Sequence, residues 1–216
     1  MDMSSELGLR IGIGLVFIGV VAMVTRYRRR AQGGEKFSLK KEGWRIAVPL
    51  RLAGVALWLY LPVLVLSPSM MAWSTVPVPT TLRWAGLAVA AFLVPPFIHW
   101  AQRSLGDNVT TTVITRKDHK LVTHGPYRYI RHPLYTGGMV FFLAMSVAAG
   151  SWFLLLVMSV VFPVLLARIP KEEEELRRRF GETYVAYVQR TGRFLPRLLR
   201  AATPVEAESR TPELNA

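Results

Sequence analysis

The 216-residue chain contains no cysteine, which excludes disulfides, thiol nucleophiles and cysteine-ligated zinc. Acidic residues are scarce too, with 14 Asp and Glu against 27 Lys and Arg for a formal net charge of +13. Such an excess would suit nucleic acid if the cations formed one continuous surface. They do not. Eight fall in residues 26–45, six in 101–133 and ten in 168–216, leaving only Arg10, Arg51 and Arg83 elsewhere. Residues 67–81 carry no charge at all. Basic connections alternating with neutral ones follow the positive-inside rule of membrane proteins, so no nucleic acid is expected as a partner. His119 and His124 are too loosely spaced to pass for a ligand pair, and no metal is expected either.

What the chain does have is apolar residues, 51% of the total and gathered in blocks. The blocks predict spans at about 7–25, 46–66, 82–100, 134–149 and 152–169. The expected fold is all-α: a multi-pass membrane protein with about five transmembrane helices. Its cytoplasmic catalytic region would be formed by the loop before the fourth span and the helix after the fifth. Positive charge follows the first apolar run, in Arg26, Arg28, Arg29 and Arg30. A cleaved signal would carry it in front, so an uncleaved span is expected, with the N-terminus outside and the C-terminus cytoplasmic. In a prokaryotic cell the bilayer would be the plasma membrane. Arg10 is expected to snorkel, and Pro95-Pro96 to break the third span. The basic stretch 26–45 reads as a topology determinant, with Phe37, Leu39 and Trp44 as potential interface anchors. Residues 109–115 are β-rich enough for a short hairpin. The chain divides into three N-terminal spans (1–100), a catalytic region (101–200) and a polar tail (201–216) expected to be disordered.

Two stretches stand apart from this scheme. Residues 124–137 read HGPYRYIRHPLYTG, with prolines at 126 and 133 that disfavour helix just before them. This predicts an ordered loop leading into a helix that begins near Pro133. Residues 168–196 begin RIPKEEEEL and continue to Tyr184, Tyr187, Arg193 and Pro196. The Glu run before Arg177, Arg178 and Arg179 suits a helix dipole and i,i+4 pairing. Arg168 and Glu172 lie one turn apart at a membrane boundary, where an arginine facing a glutamate is costly without a site to serve. Only Gly150-Ser151 separates the fourth span from the fifth. That turn forces the two into an antiparallel hairpin and brings the two unusual stretches to one end.

Leu105-Gly106, the run from His119 to Gly137, Arg168-Ile169-x-x-Glu172-Glu173 and Arg193-x-x-Pro196 together resemble the isoprenylcysteine carboxyl methyltransferase family and its phospholipid methyltransferase relatives, over residues 105–196. The resemblance implies an integral membrane enzyme that binds S-adenosylmethionine at its cytoplasmic end without a dinucleotide-binding domain. The absence of a GxGxxG motif fits. The expected acceptor is lipophilic or amphipathic, foremost the carboxylate of a prenylated cysteine. A carboxylate needs no general base, so Arg168 is the candidate to steer it and Glu172 to orient that arginine. The candidate cofactor-binding residues are His124, Gly125, Pro126, Tyr127, Tyr129, Arg131, His132, Tyr135 and Glu173. Arg131, His132 and helix-start N–H groups would hold a carboxylate, and the tyrosines would wall an adenine or a sulfonium. An amine acceptor would instead require Glu172 or His124 as base. An NADPH-dependent sterol-type reductase shares the Arg-His-Pro pattern, and a non-catalytic scaffold is the third alternative. The bilayer is the expected partner, and the sequence is silent on oligomeric state.

Overall fold

A computed structural model describes residues 3–32, 44–106 and 121–197. The 33–43 part of the basic loop, the expected hairpin with His119, and the tail lie outside those residues. Seven helices follow in order: α1 (Met3–Gln32), α2 (Trp44–Leu66), α3 (Thr80–Leu105), α4 (Pro133–Ala149), α5 (Trp152–Leu166), α6 (Ile169–Phe180) and α7 (Glu182–Arg190). No strand occurs among the described residues, which join outside helices by two isolated bridges, Thr75–Ser151 and Ile130–Gly192. The fold is all-helical, as expected.

Both faces of the long helices are apolar. On α1, Leu9, Ile13 and Phe17 are buried while Leu7, Ile11, Leu15 and Ile18 are exposed. Trp58, Phe92 and Leu155 are likewise exposed on their helices. A helix apolar all round needs an apolar surrounding on its outer side, which a bilayer supplies. Four segments are long and apolar enough to cross one: Ser4–Tyr27, Val48–Leu66, Thr80–Leu105 and the stretch beginning at Trp152. The fourth expected span is α4, an apolar helix of only 17 residues and so about 25 Å long.

The core runs through the bundle from Leu9 and Ile13 past Leu57, Leu61, Leu87, Ala90 and Val94 to Phe141, Met145 and Leu154. Its tightest crossing joins α3 to α4. A Cβ on Gly86 would stand 2.7 Å from the Ala144 carbonyl oxygen and 3.0 Å from the Ala148 nitrogen, so the backbones approach as only glycine permits.

α3 departs from expectation. Pro95-Pro96 does not break it; residues Val89–Leu93 instead form a π-helical turn, with the Val94 N–H donating to the Val89 carbonyl. Neither proline has an N–H to donate, and widening the turn just before them lets the helix continue to Leu105. At the other end of α4, Gly150 takes φ 60° and turns the chain within two residues. The Tyr60 hydroxyl bridges Ser74 Oγ (2.8 Å) and Ser151 Oγ (2.6 Å), tying α2 to that turn. The hairpin is therefore fixed at its tip, and its two open ends meet at the opposite side of the bundle.

Candidate active site

Three chain segments meet at those open ends. The first is the loop before α4. Gly125, at φ 61°, lies against Ser104 and Trp100 of α3 so closely that no side chain could stand there. A short 3-10 turn over Gly125–Arg128 follows, and α4 then starts at Pro133. The second segment is the start of α6. The third is the chain after α7, which docks on the loop through Arg131 N–H to the Gly192 carbonyl (2.9 Å) and His132 N–H to the Arg193 carbonyl (3.1 Å). The Gly192 N–H returns the bond to the Tyr129 carbonyl at 3.1 Å, and Thr136 Oγ1 donates to the Phe194 carbonyl at 3.0 Å.

Glu173 sits at the junction. Its Oε1 accepts from Arg131 Nε (3.1 Å), His132 Nε2 (3.2 Å) and Arg193 Nε (3.3 Å), and its Oε2 from Arg193 Nη2 (2.6 Å). Burial alone would raise its pKa, but the hydrogen bonds from His132, Arg193 and Arg131 outweigh burial and bring it down to about 2. Glu173 is therefore a fixed anion. Arg131 is equally committed: its Nη1 donates to the carbonyls of Val188 (3.2 Å) and Thr191 (2.6 Å).

Glu172 lives differently. Its Oε1 accepts from the Tyr135 hydroxyl at 2.9 Å, with Arg168 Nε 3.8 Å from the same oxygen. Its Oε2 is 4.0 Å from His132 Nδ1, beyond hydrogen-bonding range. The His132 ring stacks edge-on to Tyr135, centroids 5.6 Å apart, and contacts Phe194 at 6.1 Å. One imidazole thus stands between the two glutamates.

The sequence-derived candidates separate into two groups. Arg131, His132, Tyr135, Arg168, Glu172 and Glu173 converge within this cluster. Pro126 and Tyr127 are buried beneath it, the Tyr127 carbonyl accepting from the Tyr187 hydroxyl at 2.8 Å. Burial drives the Tyr127 phenol pKa well up, and that of Tyr187 to about 12, so both stay neutral. His124 and Tyr129 are exposed, with the Arg128 guanidinium 6.0 Å from the Tyr129 ring. The N–H groups of Arg131 and His132, expected at the cofactor carboxylate, donate to the returning chain instead.

Two contributors had not been singled out. Arg193 supplies the shortest bond to Glu173. Tyr184 is 1% exposed, and its hydroxyl has no hydrogen-bond partner among the described residues. Burial, and then the nearby Glu173 charge, raise its pKa, making it a neutral donor without an acceptor. Both residues belong to the family-like pattern, which was the available signal; their convergence on Glu173 was not visible in it.

The family model described as "Isoprenylcysteine carboxyl methyltransferase (ICMT) family" matches residues 86–178, beginning inside α3 and ending within α6. Protein-S-isoprenylcysteine O-methyltransferase B of Arabidopsis thaliana is 36% identical over 98 residues, 42% of this chain and 48% of that protein. The nickel-cobalt-cadmium resistance protein NccN of Alcaligenes xylosoxydans xylosoxydans is 32% identical over 83 residues, 38% of this chain and 39% of the relative. The chain thus aligns with under half the length of these curated relatives. A solved eukaryotic intramembrane Ras methyltransferase, ICMT, shares the fold with a TM-score of 0.59 at 19% identity, over 91% of this chain and 69% of that one. Residues 86–178 thus match the isoprenylcysteine carboxyl methyltransferase family model, within a chain that shares the fold of that solved relative.

Proposed function

We propose that this chain is an integral membrane methyltransferase that uses S-adenosylmethionine and methylates the carboxylate of an amphipathic, isoprenylcysteine-like acceptor. The observation that carries the assignment is the division between the two adjacent glutamates. Glu173 is saturated by three basic side chains, whereas Glu172 keeps an oxygen free of strong partners beside Arg168.

The residues fit the cofactor. Its amino group and ribose hydroxyls need acceptors, and Glu172 Oε2 is one. Its carboxylate needs donors, and the unpartnered Tyr184 hydroxyl is one. When bound, S-adenosylmethionine supplies a methyl on a sulfonium that departs as a neutral thioether. The protein's work is then alignment and exclusion of water. Arg168 would hold the acceptor carboxylate with a planar pair of donors, and Glu172, fixed by Tyr135, would keep that guanidinium in place. Glu173 would lock Arg131, His132 and Arg193 into one wall. An acceptor with a long apolar tail would enter from the bilayer between helices, its polar end remaining at the interface.

Incubating the purified protein with S-adenosylmethionine and an S-prenylated cysteine should yield a base-labile methyl ester. Methylation of a phosphatidylethanolamine amine instead would make Glu172 a base, and binding of NADPH in place of S-adenosylmethionine would overturn the assignment. The proposed orientation has five spans and a cytoplasmic C-terminus. Because the chain lacks native cysteine, Ser69→Cys and Thr183→Cys can be labelled without background. Only Ser69→Cys should react from outside sealed cells; labelling of Thr183→Cys would reverse the orientation.

A further inference from the structure

At the end of the bundle away from Glu172 and Glu173, a cleft of about 440 Å3 opens beside the α4–α5 turn. It falls within the ~300–1,000 Å3 typical of small-molecule sites. The length of α4 separates it from the candidate active site, so the two face opposite membrane surfaces. One wall is apolar, with Pro68, Val76 and Val78; the other carries Glu6, Arg10 and Arg83.

Those three are the charged residues lining the cleft, and they do not balance. Arg83 is fully engaged: Nη1 and Nη2 meet the Glu6 carboxylate at 2.8 and 3.2 Å, and Nε donates to the Ala148 carbonyl at 3.0 Å. This clamp joins α1 to the α3–α4 pair and would suffice as a structural device. Arg10 adds a second cation to the same carboxylate, its Nε 2.8 Å from Glu6 Oε1. Both terminal nitrogens of Arg10 lack a hydrogen-bond partner among the described residues. Its side chain is only 23% exposed, so it does not extend freely as a snorkelling arginine would. A shielded guanidinium with spare donors and one unmatched positive charge calls for an anion.

We infer that this cleft binds the oxyanion head group, phosphate or carboxylate, of an anionic amphiphile. Arg10 is the recognising cation, Ser69 supplies a hydroxyl at the mouth, and the apolar tail runs along Pro68, Val76 and Val78. The site is independent of methyl transfer and would respond to the lipid on the other side of the membrane.

The test is native mass spectrometry of the purified protein with phosphatidylglycerol, phosphatidylcholine and inorganic phosphate. Wild type should retain the anionic lipid over the zwitterionic one. Arg10→Gln should weaken that retention about 10-fold or more, the usual cost of losing a charge-assisted contact. It leaves the Glu6–Arg83 clamp in place and should keep the thermal stability of wild type. Ala72→Phe, an exposed position on the cleft wall, should block the same retention by filling space. Competition by inorganic phosphate would identify the free oxyanion as sufficient, and its failure to compete would assign the site to a lipid; both outcomes support an anion site. Equal retention of the two lipids by wild type, or unchanged retention in both variants, overturns it.

Discussion

Replacing Glu173 by glutamine removes one charge and leaves the shape of the side chain intact. The amide oxygen can still take the place of Oε1, accepting from Arg131 and His132. The amide nitrogen then faces Arg193 Nη2, where a 2.6 Å bond existed, and two donors cannot share that distance. Arg193 is 48% exposed, so water replaces that partner and the loss is about 0.2–1 kcal/mol. Arg131 is the serious term, because its side chain is only 9% exposed and loses its counter-ion. Stripping a buried charge of its partner costs ~3–5 kcal/mol in general. Here the Val188 and Thr191 carbonyls remain. The expected total is accordingly about 2–3 kcal/mol, at or below the low end of that range.

The pH dependence supplies a second check. Glu173 titrates near 2 in the folded protein against an ordinary value of 4.5. A depressed folded pKa contributes stability that is complete above 4.5 and disappears as pH falls toward 2. The difference between wild type and Glu173→Gln should therefore be constant at neutral pH and shrink across that acid window. Thermal unfolding in detergent, followed by tryptophan fluorescence, reads both quantities. A neutral-pH difference under roughly 0.5 kcal/mol, the scale of ordinary surface substitutions, would refute Glu173 as the keystone of the cluster.

Arg168→Lys keeps the charge and loses the two-pronged donor, so turnover should fall at least ~10-fold, about 1.4 kcal/mol, with cofactor affinity little changed. Near-normal turnover would reduce Arg168 to a boundary residue. Tyr184→Phe removes an unpartnered buried hydroxyl, so stability without ligand should hold or rise by up to ~1 kcal/mol. If that hydroxyl serves the cofactor, calorimetric affinity for S-adenosylmethionine should drop at the same time, and unchanged affinity removes Tyr184 from the site. Gly86→Ala places a methyl against two backbone atoms of α4 and should cost ~1–3 kcal/mol by the same thermal assay. Wild-type stability there would mean that the helices can part without penalty.

The parts of this molecule legible in the sequence are those set by local pattern or short connection. The apolar runs announced the helices because no other use of such residues is consistent with their length. The meeting of the loop before α4 with the start of α6 followed from Gly150-Ser151, since a two-residue turn leaves the hairpin ends nowhere else to go. Long-range docking was hidden. Nothing local in residues 190–197 says that Gly192 will pair with Ile130, so Arg193 could be read in the family pattern without being seen to share a carboxylate with Arg131. Arg10 reads as a solitary snorkelling residue because the second arginine on Glu6, Arg83, lies 77 positions beyond that common partner. Glu6 itself, one turn before Arg10, was the overlooked hint. The Pro95-Pro96 expectation failed because proline was treated as a break at its own position, whereas the missing donors were accommodated one turn earlier.

Why two neighbouring glutamates serve different purposes follows from helix geometry. Successive residues on an α-helix point about 100° apart at ~3.6 residues per turn. Glu172 and Glu173 therefore face different neighbours, Tyr135 on α4 for the first and the 131–132 loop with the returning chain for the second. Glu172 lies in the first turn of α6, where the helix dipole favours an anion and reduces its need for a strong counter-ion. It can thus remain a carboxylate with an oxygen to spare, coupled only loosely to Arg168 at 3.8 Å. Glu173, one residue further, takes the hydrogen bonds that hold three separate segments together. Exchanging the two partners' surroundings would not be neutral even though the residues are chemically identical. A carboxylate bound by two arginines and a histidine has no acceptor left for a ligand, and one held by a single phenol could not fasten the returning chain. The cluster needs both, in that order along the helix.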